Sequence, residues 1–384
     1  MSVKNLTTGK KRVRLGTVLM FVGAIAAYLI GSGFATGQES LQYFSAFGPV
    51  GATGALVVTL IMYCYFTSIA LRDGRNLRLK STDRIFEYYC GKYIGKFFGI
   101  FAPAFFFCMF AVMLSGAGAA LHEYFGWSAQ VGIFAMAIVT LATVLLGLDR
   151  MVAVVSLVGP VIVVLALIVG VAGIIMNPSG IVNSEEAFEG LNIMQAAPNW
   201  VISGFIFPAL GILMLVPFLA GIGRKAASDR EAVTSGLAGG LTFVVAVAIV
   251  AFGLIANIGD VYDKQIPMLW IASQVFSGAG VVFSVVLFLG IYTTAVPLLW
   301  VSVNRLANEE RSRKARILAV AGTVIGVLLA QIPFASLVNL LYPIAGYLAL
   351  VLMAGMVVRQ IRNARARKQG RDVYDVNFER VPAL

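Results

Sequence analysis

Long apolar stretches, separated by short charged ones, divide this chain into ten candidate membrane spans. They fall at about 15–46, 49–71, 97–121, 129–148, 151–176, 199–222, 232–257, 275–303, 316–332 and 335–358. A helix needs roughly 20 residues to cross a bilayer. The first stretch exceeds that, running from Leu15 to Phe47 through Gly31-Ser32-Gly33, with Thr36-Gly37-Gln38-Glu39-Ser40 soon after. Backbone left unpaired at membrane depth survives only where protein or a solvated cavity surrounds it. The pattern therefore predicts one span in two half-helices, with a binding site at the break.

Charge tests this division independently. With both termini on the cytoplasmic side, 28 of the 29 Lys and Arg residues fall on that side and Lys264 alone falls outside, as the insertion preference of positive charge requires. The hydrophobic fraction of 59% and mean hydropathy of +0.89 exceed those of a soluble domain and predict a multi-pass plasma membrane protein. The first stretch is too long for a cleavable signal peptide. The net charge of +11 is read as a topology signal and an attraction to anionic lipid, not as a nucleic-acid surface. Cys64 and Cys108 lie within spans and Cys90 in a cytoplasmic loop, so three free thiols are expected.

Ten spans divide into five and five, and because five is odd the second set starts from the opposite side of the membrane. That is an inverted repeat, with residues 1–176 as the first unit, 199–358 as the second and 361–384 as a polar, mobile cytoplasmic tail. The first span of the second unit should then also be broken. It carries Phe207-Pro208-Ala209-Leu210-Gly211 at mid-depth, where Pro removes a donor and Gly tolerates unusual dihedrals. Taken singly, such a break is more often a close-packing contact; the pairing of positions in the two units is what favours a site.

The run Gly31-Ser32-Gly33-Phe34-Ala35-Thr36-Gly37-Gln38-Glu39 resembles the broken first helix of the amino acid, polyamine and organocation transporter superfamily. Within it, the chain looks most like a branch of amino-acid permeases. The resemblance implies an all-α polytopic membrane protein of LeuT-type fold, ten transmembrane helices in a 5+5 inverted repeat with helices 1 and 6 broken. It also implies a Na⁺ site on the carbonyls of Ala27, Ile30 and Gly290 and the hydroxyls of Thr293 and Thr294. The alternative for those threonines is a bond back to a carbonyl one turn earlier. Phe34 stands where relatives with a second sodium site often carry Asn, and residues 151–176 lack the Lys of some proton-coupled relatives.

The half-helix ends suit a cation on one side and a carboxylate on the other. Gly31, Ser32, Gly33, Phe34, Phe207, Ala209 and Tyr292 are the candidate substrate residues. No Lys or Arg lies at that depth, so a small neutral amino acid is the simplest occupant. Glu39, the one acidic residue placed inside a span, is a functional candidate; binding a cationic solute, carrying a proton, gating, and local capping in an outer vestibule all stay open to it. His122 is expected to be solvated. Residues 81–96 predict an interfacial helix, and 261–276 a lid. The expectation is a Na⁺-coupled uptake transporter, with a proton-coupled or cationic-solute transporter, or a non-transporting sensor, as alternatives. No catalytic constellation or nucleotide motif points to an enzyme or a primary pump, no organic cofactor is implied, and no feature fixes an oligomeric state.

Overall fold

The computed structural model describes residues 13–146, 148–183, 187–276, 278–307, 312–371, 373–374, 378–379 and 381, without the side chains of Ser32, 148–160, Asn304 and Arg305. Among the described residues the chain is helical, with one isolated β-bridge at Leu79. The first stretch forms three pieces, α1 (Leu15–Leu29), α2 (Ser32–Thr36) and α3 (Gln38–Tyr43). Then come α4 (Gly48–Leu77), α5 (Ile85–Phe125), α6 (Ala129–Leu146), α7 (Leu148–Met176) and the short α8 (Ser179–Val182). The remainder holds α9 (Trp200–Gly223), α10 (Asp229–Ala256), α11 (Ile258–Val261), α12 (Pro267–Val275), α13 (Ala279–Ala307), α14 (Arg313–Leu329) and α15 (Phe334–Lys368).

Each predicted stretch holds a helix, and seven helices among the described residues are long and apolar enough to cross a membrane on their own. Three stretches are outside that seven: the first falls short because it is divided, and the fifth is counted only over its apolar part Val161–Met176. The ninth falls short because α14 has 17 residues and opens on Arg313-Lys314-Ala315-Arg316.

Close backbone contacts organise the helices. A Cβ on Gly74 would lie 2.5 Å from the Ala220 Cα, one on Gly236 2.5 Å from the Ser68 Cα, and one on Gly240 2.9 Å from the Cys64 nitrogen. Small residues thus let α4 lie directly against α9 and α10, as at helix interfaces in membranes. Thr67 and Ser68 add hydroxyl bonds to the carbonyls of Gly236 (2.8 Å) and Val233 (3.1 Å).

Three expectations are corrected. α9 runs unbroken from Trp200 to Gly223 through Pro208 and Pro217. A helix stays intact through a proline where neighbours satisfy the freed backbone, and α4 does so here, its Thr59 hydroxyl donating (3.3 Å) to the Gly204 carbonyl that Pro208 leaves without an N–H partner. The segment at 81–96 does not present most of its aromatic side chains to a surface. It forms the start of α5, turns at Gly91 (φ 77°), and buries Ile85, Phe86, Tyr88 and Tyr89 in the protein.

The tail is not free either. Residues 361–368 continue α15, and the chain then folds back so that Lys80 N–H donates to the Glu379 carbonyl (2.9 Å) and Val381 N–H to that of Arg78 (2.8 Å). Cys64, Cys90 and Cys108 are free thiols as expected.

Candidate functional site

The backbone ladder of α1 ends with Ile30 N–H on the Ala26 carbonyl (2.7 Å) and resumes with Ala35 N–H on that of Gly31 (3.1 Å). Gly31 itself is extended (φ −90°, ψ −173°). The interruption leaves last-turn carbonyls of α1 facing first-turn N–H groups of α2 without intrahelical partners. A second interruption follows at Gly37, whose φ of 87° is left-handed and therefore natural to glycine. Thr36 stabilises that turn, its hydroxyl donating to the Gly33 carbonyl (2.6 Å).

A cavity of about 110 Å³ opens at the first break, with Gly31, Gly33, Phe34 and Glu39 in its wall. Glu39 is the one charged side chain among its described lining residues. Its carboxylate lies so close over Gly33 that a Cβ there would collide with it, and the Tyr342 hydroxyl stands 3.4 Å from the same Cβ position. The far wall is aromatic and apolar. Phe207 and Phe243 stack 6.2 Å apart, Tyr63 meets Phe243 edge-on at 5.0 Å, and Met109 and Met113 close the side toward α5.

Thr294 reaches the cavity from α13, its Oγ1 3.9 Å from the position of a Gly31 Cβ. Both candidate threonines bond back to the same carbonyl, Thr293 at 2.8 Å and Thr294 at 3.1 Å from Gly290 oxygen. The back-bonded alternative therefore describes their hydrogen bonds. It also directs the hydroxyl lone pairs away from their own helix, where a cation can still meet them.

The two sides of this cavity differ. A second cavity of about 210 Å³ shares Tyr28 and Met214 with it and extends to Asp83, Phe86 and Trp300, toward the face that carries Arg14 and the folded-back tail. Tyr28 stands at the junction, bonded to the Met214 carbonyl (2.8 Å) and stacked on Phe218 (4.9 Å).

The opposite side is sealed. Met268 of α12 sits on Gly37, with its Cγ 2.7 Å from a Cβ placed there. The Gln42 amide donates to Gln38 Oε1 (2.8 Å) and to the Ala335 carbonyl (3.0 Å). The Glu123 carboxylate accepts the backbone N–H groups of Gln265 and Ile266 just before α12, and Pro267 fills the first helical position, where its missing N–H is harmless. The segment expected as a lid is thus a buried helix over the break.

Of the sequence-predicted residues, Gly31, Gly33, Phe34, Phe207 and Glu39 come together, and the Ser32 side chain lies outside the described residues. Ala209 and Tyr292 do not join them. Residues two apart on a helix lie about 200° apart around it, so Ala209 faces away from Phe207 and Gly211. Likewise Tyr292 faces away from Thr294 and bonds instead to Thr143 on α6 (2.8 Å). Ala27 is exposed on the last turn of α1, while Ile30 is buried at the break. His122 is exposed, as expected, with Nδ1 2.8 Å from the Trp127 carbonyl. Sequence reasoning missed Tyr63, Met109, Met113, Phe243 and Tyr342. An aromatic or Met among many apolar residues carries no signal of which face it occupies.

No family model matches this chain. It is 22% identical over 347 residues to the uncharacterised membrane protein YkvI of Bacillus subtilis (strain 168), spanning 90% of this chain and 96% of that protein. It is 26% identical over 354 residues to the uncharacterised protein YyaD of the same organism, spanning 91% and 98%. Among solved structures it is similar to MhsT in complex with L-phenylalanine (TM-score 0.56, 14% identity, 89% of this chain and 91% of that one). It is likewise similar to the inward-facing conformation of Mhp1 (0.54, 14%, 90% and 76%) and to a variant of the Eremococcus coleocola manganese transporter (0.56, 12%, 93% and 82%). The chain has the LeuT-type fold of these structures.

Proposed function

We propose that this protein is a secondary transporter of the cytoplasmic membrane, spanning it ten times in two five-helix units with both termini inside. It takes up a small amine-bearing solute, a neutral amino acid first among them, by alternating access coupled to Na⁺. One observation carries this reading: the broken first span gathers two helix ends, one carboxylate and one threonine hydroxyl around a cavity that leads to the terminus-bearing face and is sealed on the other. The likeness in fold to transporters, one of them crystallised with L-phenylalanine, agrees with it.

In this reading the solute ammonium meets Glu39 and the carbonyl end of α1, and its side chain lies against Phe34, Phe207 and Phe243. Na⁺ sits between α1 and α13, on the carbonyls of Ala27 and Ile30 and the hydroxyl oxygens of Thr293 and Thr294. The Gly290 carbonyl contributes less than the resemblance implied, because it already accepts two hydroxyl protons.

A second reading has its own support. The Glu39 carboxylate covers Gly33, on the first turn of α2, where a solute carboxylate would otherwise sit. That favours a cationic solute without a carboxylate, or a proton carried on Glu39.

Thermal stability of the purified protein against a panel of amino acids and amines, in Na⁺ or K⁺ at equal ionic strength, separates the two, since ligands stabilise by mass action. Stabilisation that strengthens with Na⁺ and disappears in Thr294→Ala supports the first. A response to amines that ignores Na⁺ and vanishes in Glu39→Gln supports the second. Flux of the selected solute into liposomes then tests transport against sensing.

A further inference from the structure

Three hollows line up between the break and the terminus-bearing face. The cavity at the break shares Tyr28 and Met214 with the second cavity, and the second shares Asp83 and Gly99 with a groove of about 380 Å³ that also holds Arg84, Glu87 and Lys96. The groove is charged and the first cavity carries Glu39. The second cavity between them is walled by the rings of Tyr28, Phe86, Phe106, Phe218 and Trp300.

Asp83 is the one charged side chain among the lining residues of that second cavity. It stands just ahead of α5, in the short turn Thr82–Arg84, where cavity and groove meet. Two other carboxylates of this face serve the fold. Asp73 of α4 is buried and accepts from Tyr89 (3.1 Å), Gln360 (2.7 Å) and Tyr374 (2.9 Å). Glu231 of α10 is buried and accepts from Arg14 (2.9 Å) and the Ala227 N–H (3.2 Å). Neither lines the two cavities. Neighbouring guanidiniums have partners of their own, Arg84 with Glu87 (3.8 Å) and Arg224 with the Gly221 carbonyl (2.9 Å).

An acidic mouth on an aromatic chamber selects one class of guest. Organic ammonium ions are attracted to the face of an aromatic ring, most strongly to that of Trp, and a carboxylate at an entrance concentrates cations while it repels anions. The volume of about 210 Å³, against about 110 Å³ at the break, leaves room for a solute that fits the first cavity. Tyr28 divides the two, its hydroxyl held on the Met214 carbonyl (2.8 Å).

We propose that the second cavity is a further binding site for organic ammonium ions, with Asp83 as the residue that selects their charge and Trp300 as the ring they lie against. It rests on the reading of the protein as a carrier of an amine-bearing solute, for which this chamber is a station between the break and the terminus-bearing face.

The test places a thiol in the chamber wall as Val301→Cys, in protein whose three native cysteines are replaced by Ala, reconstituted in lipid nanodiscs. Labelling rates are compared for 2-aminoethyl methanethiosulfonate, a cation, and 2-sulfonatoethyl methanethiosulfonate, an anion, each relative to its rate with a free thiol. The cation should be favoured about ten-fold, and Asp83→Asn should bring the two within about two-fold of each other. Excess benzylamine should slow labelling about five-fold by occupying the chamber, and equally so in Glu39→Gln, where the first cavity has lost its charge. Trp300→Leu should abolish that protection; it carries the test if Asp83→Asn does not fold. An unchanged ratio in Asp83→Asn overturns the proposal. So does benzylamine protection that is absent, or that is lost in Glu39→Gln, since the amine then occupies the first cavity at most. Neither readout needs a transported solute, so if no amine binds at Glu39 while both effects persist at Val301→Cys, the transport reading fails and the second site stands.

Discussion

Replacing Glu39 by Gln removes the charge from the cavity and changes almost nothing else. The two side chains have the same length, and the Tyr342 hydroxyl beside Gly33 can donate to an amide oxygen as it can to a carboxylate. The cavity wall holds no other charged residue among those described, so no neighbour takes over the role. A hydrogen bond to a charged group contributes about 1.5–3 kcal/mol, equivalent to about 10- to 150-fold in Kd for an amine-bearing solute. Calorimetric titration of Glu39→Gln with the solute selected by thermal stability should show that loss. Tyr292→Phe breaks a bond to Thr143 on the opposite face of α13 and serves as the control, with Kd unchanged within about two-fold. If Glu39→Gln also binds within that range, the carboxylate does not hold the amine and the site assignment fails at its centre.

Phe207→Ala removes one of the two stacked rings of the far wall and should favour solutes with longer side chains by about ten-fold over short ones, read as a ratio of Kd values. Gly37→Ala forces a side chain into left-handed backbone against Met268. It should destabilise the sealed side by about 1–2 kcal/mol, seen as a lower Tm and faster labelling of a cysteine placed at Gln38. Gly236→Ala meets the Ser68 backbone at 2.5 Å and should cost about 1–3 kcal/mol. Gly23→Ala has nothing within 4 Å and should be neutral or stabilising by up to about 1 kcal/mol. Denaturant titration in mixed micelles compares the last two.

The first break was legible because it needs only local chemistry: two glycines around one serine in a stretch too long for one crossing. The charge partition located the helices for the same reason, since each cluster marks a helix end independently of packing. The sixth-span break was misread because Pro208 and Gly211 have two outcomes, unwinding or bending, and the choice depends on α4 lying against α9 through Gly204 and Gly223. That fact is tertiary. Tyr292 failed by rotation about the helix axis, which spacing fixes only after one residue of the face is known. Asp73 was invisible because an acidic residue at a span end is normally solvated, and its burial comes from Tyr89, Gln360 and Tyr374, far away in sequence.

One break instead of two makes the site lopsided, and this bears on how a solute lies in it. The charged and free backbone groups come from the first span, the α1 and α2 ends and Glu39, with the hydroxyls of Thr294, Tyr63 and Tyr342 from other helices around them. α9 contributes mainly shape, with Phe207 in the aromatic wall and Gly211 leaving room for the Tyr63 hydroxyl, which would overlap any side chain placed there, and its Met214 carbonyl is already taken by the Tyr28 hydroxyl. The continuous ladder of α9 leaves fewer backbone groups for a solute than the broken first span, since the Gly204 carbonyl freed by Pro208 already accepts from the Thr59 hydroxyl. On the function proposed above, a solute turns its charged end toward the first span and its apolar end toward α9 and α10. In that reading, movement of α1 or α2 alters the polar contacts directly, and the broken first span serves both as the recognition element and as the part whose displacement releases the solute.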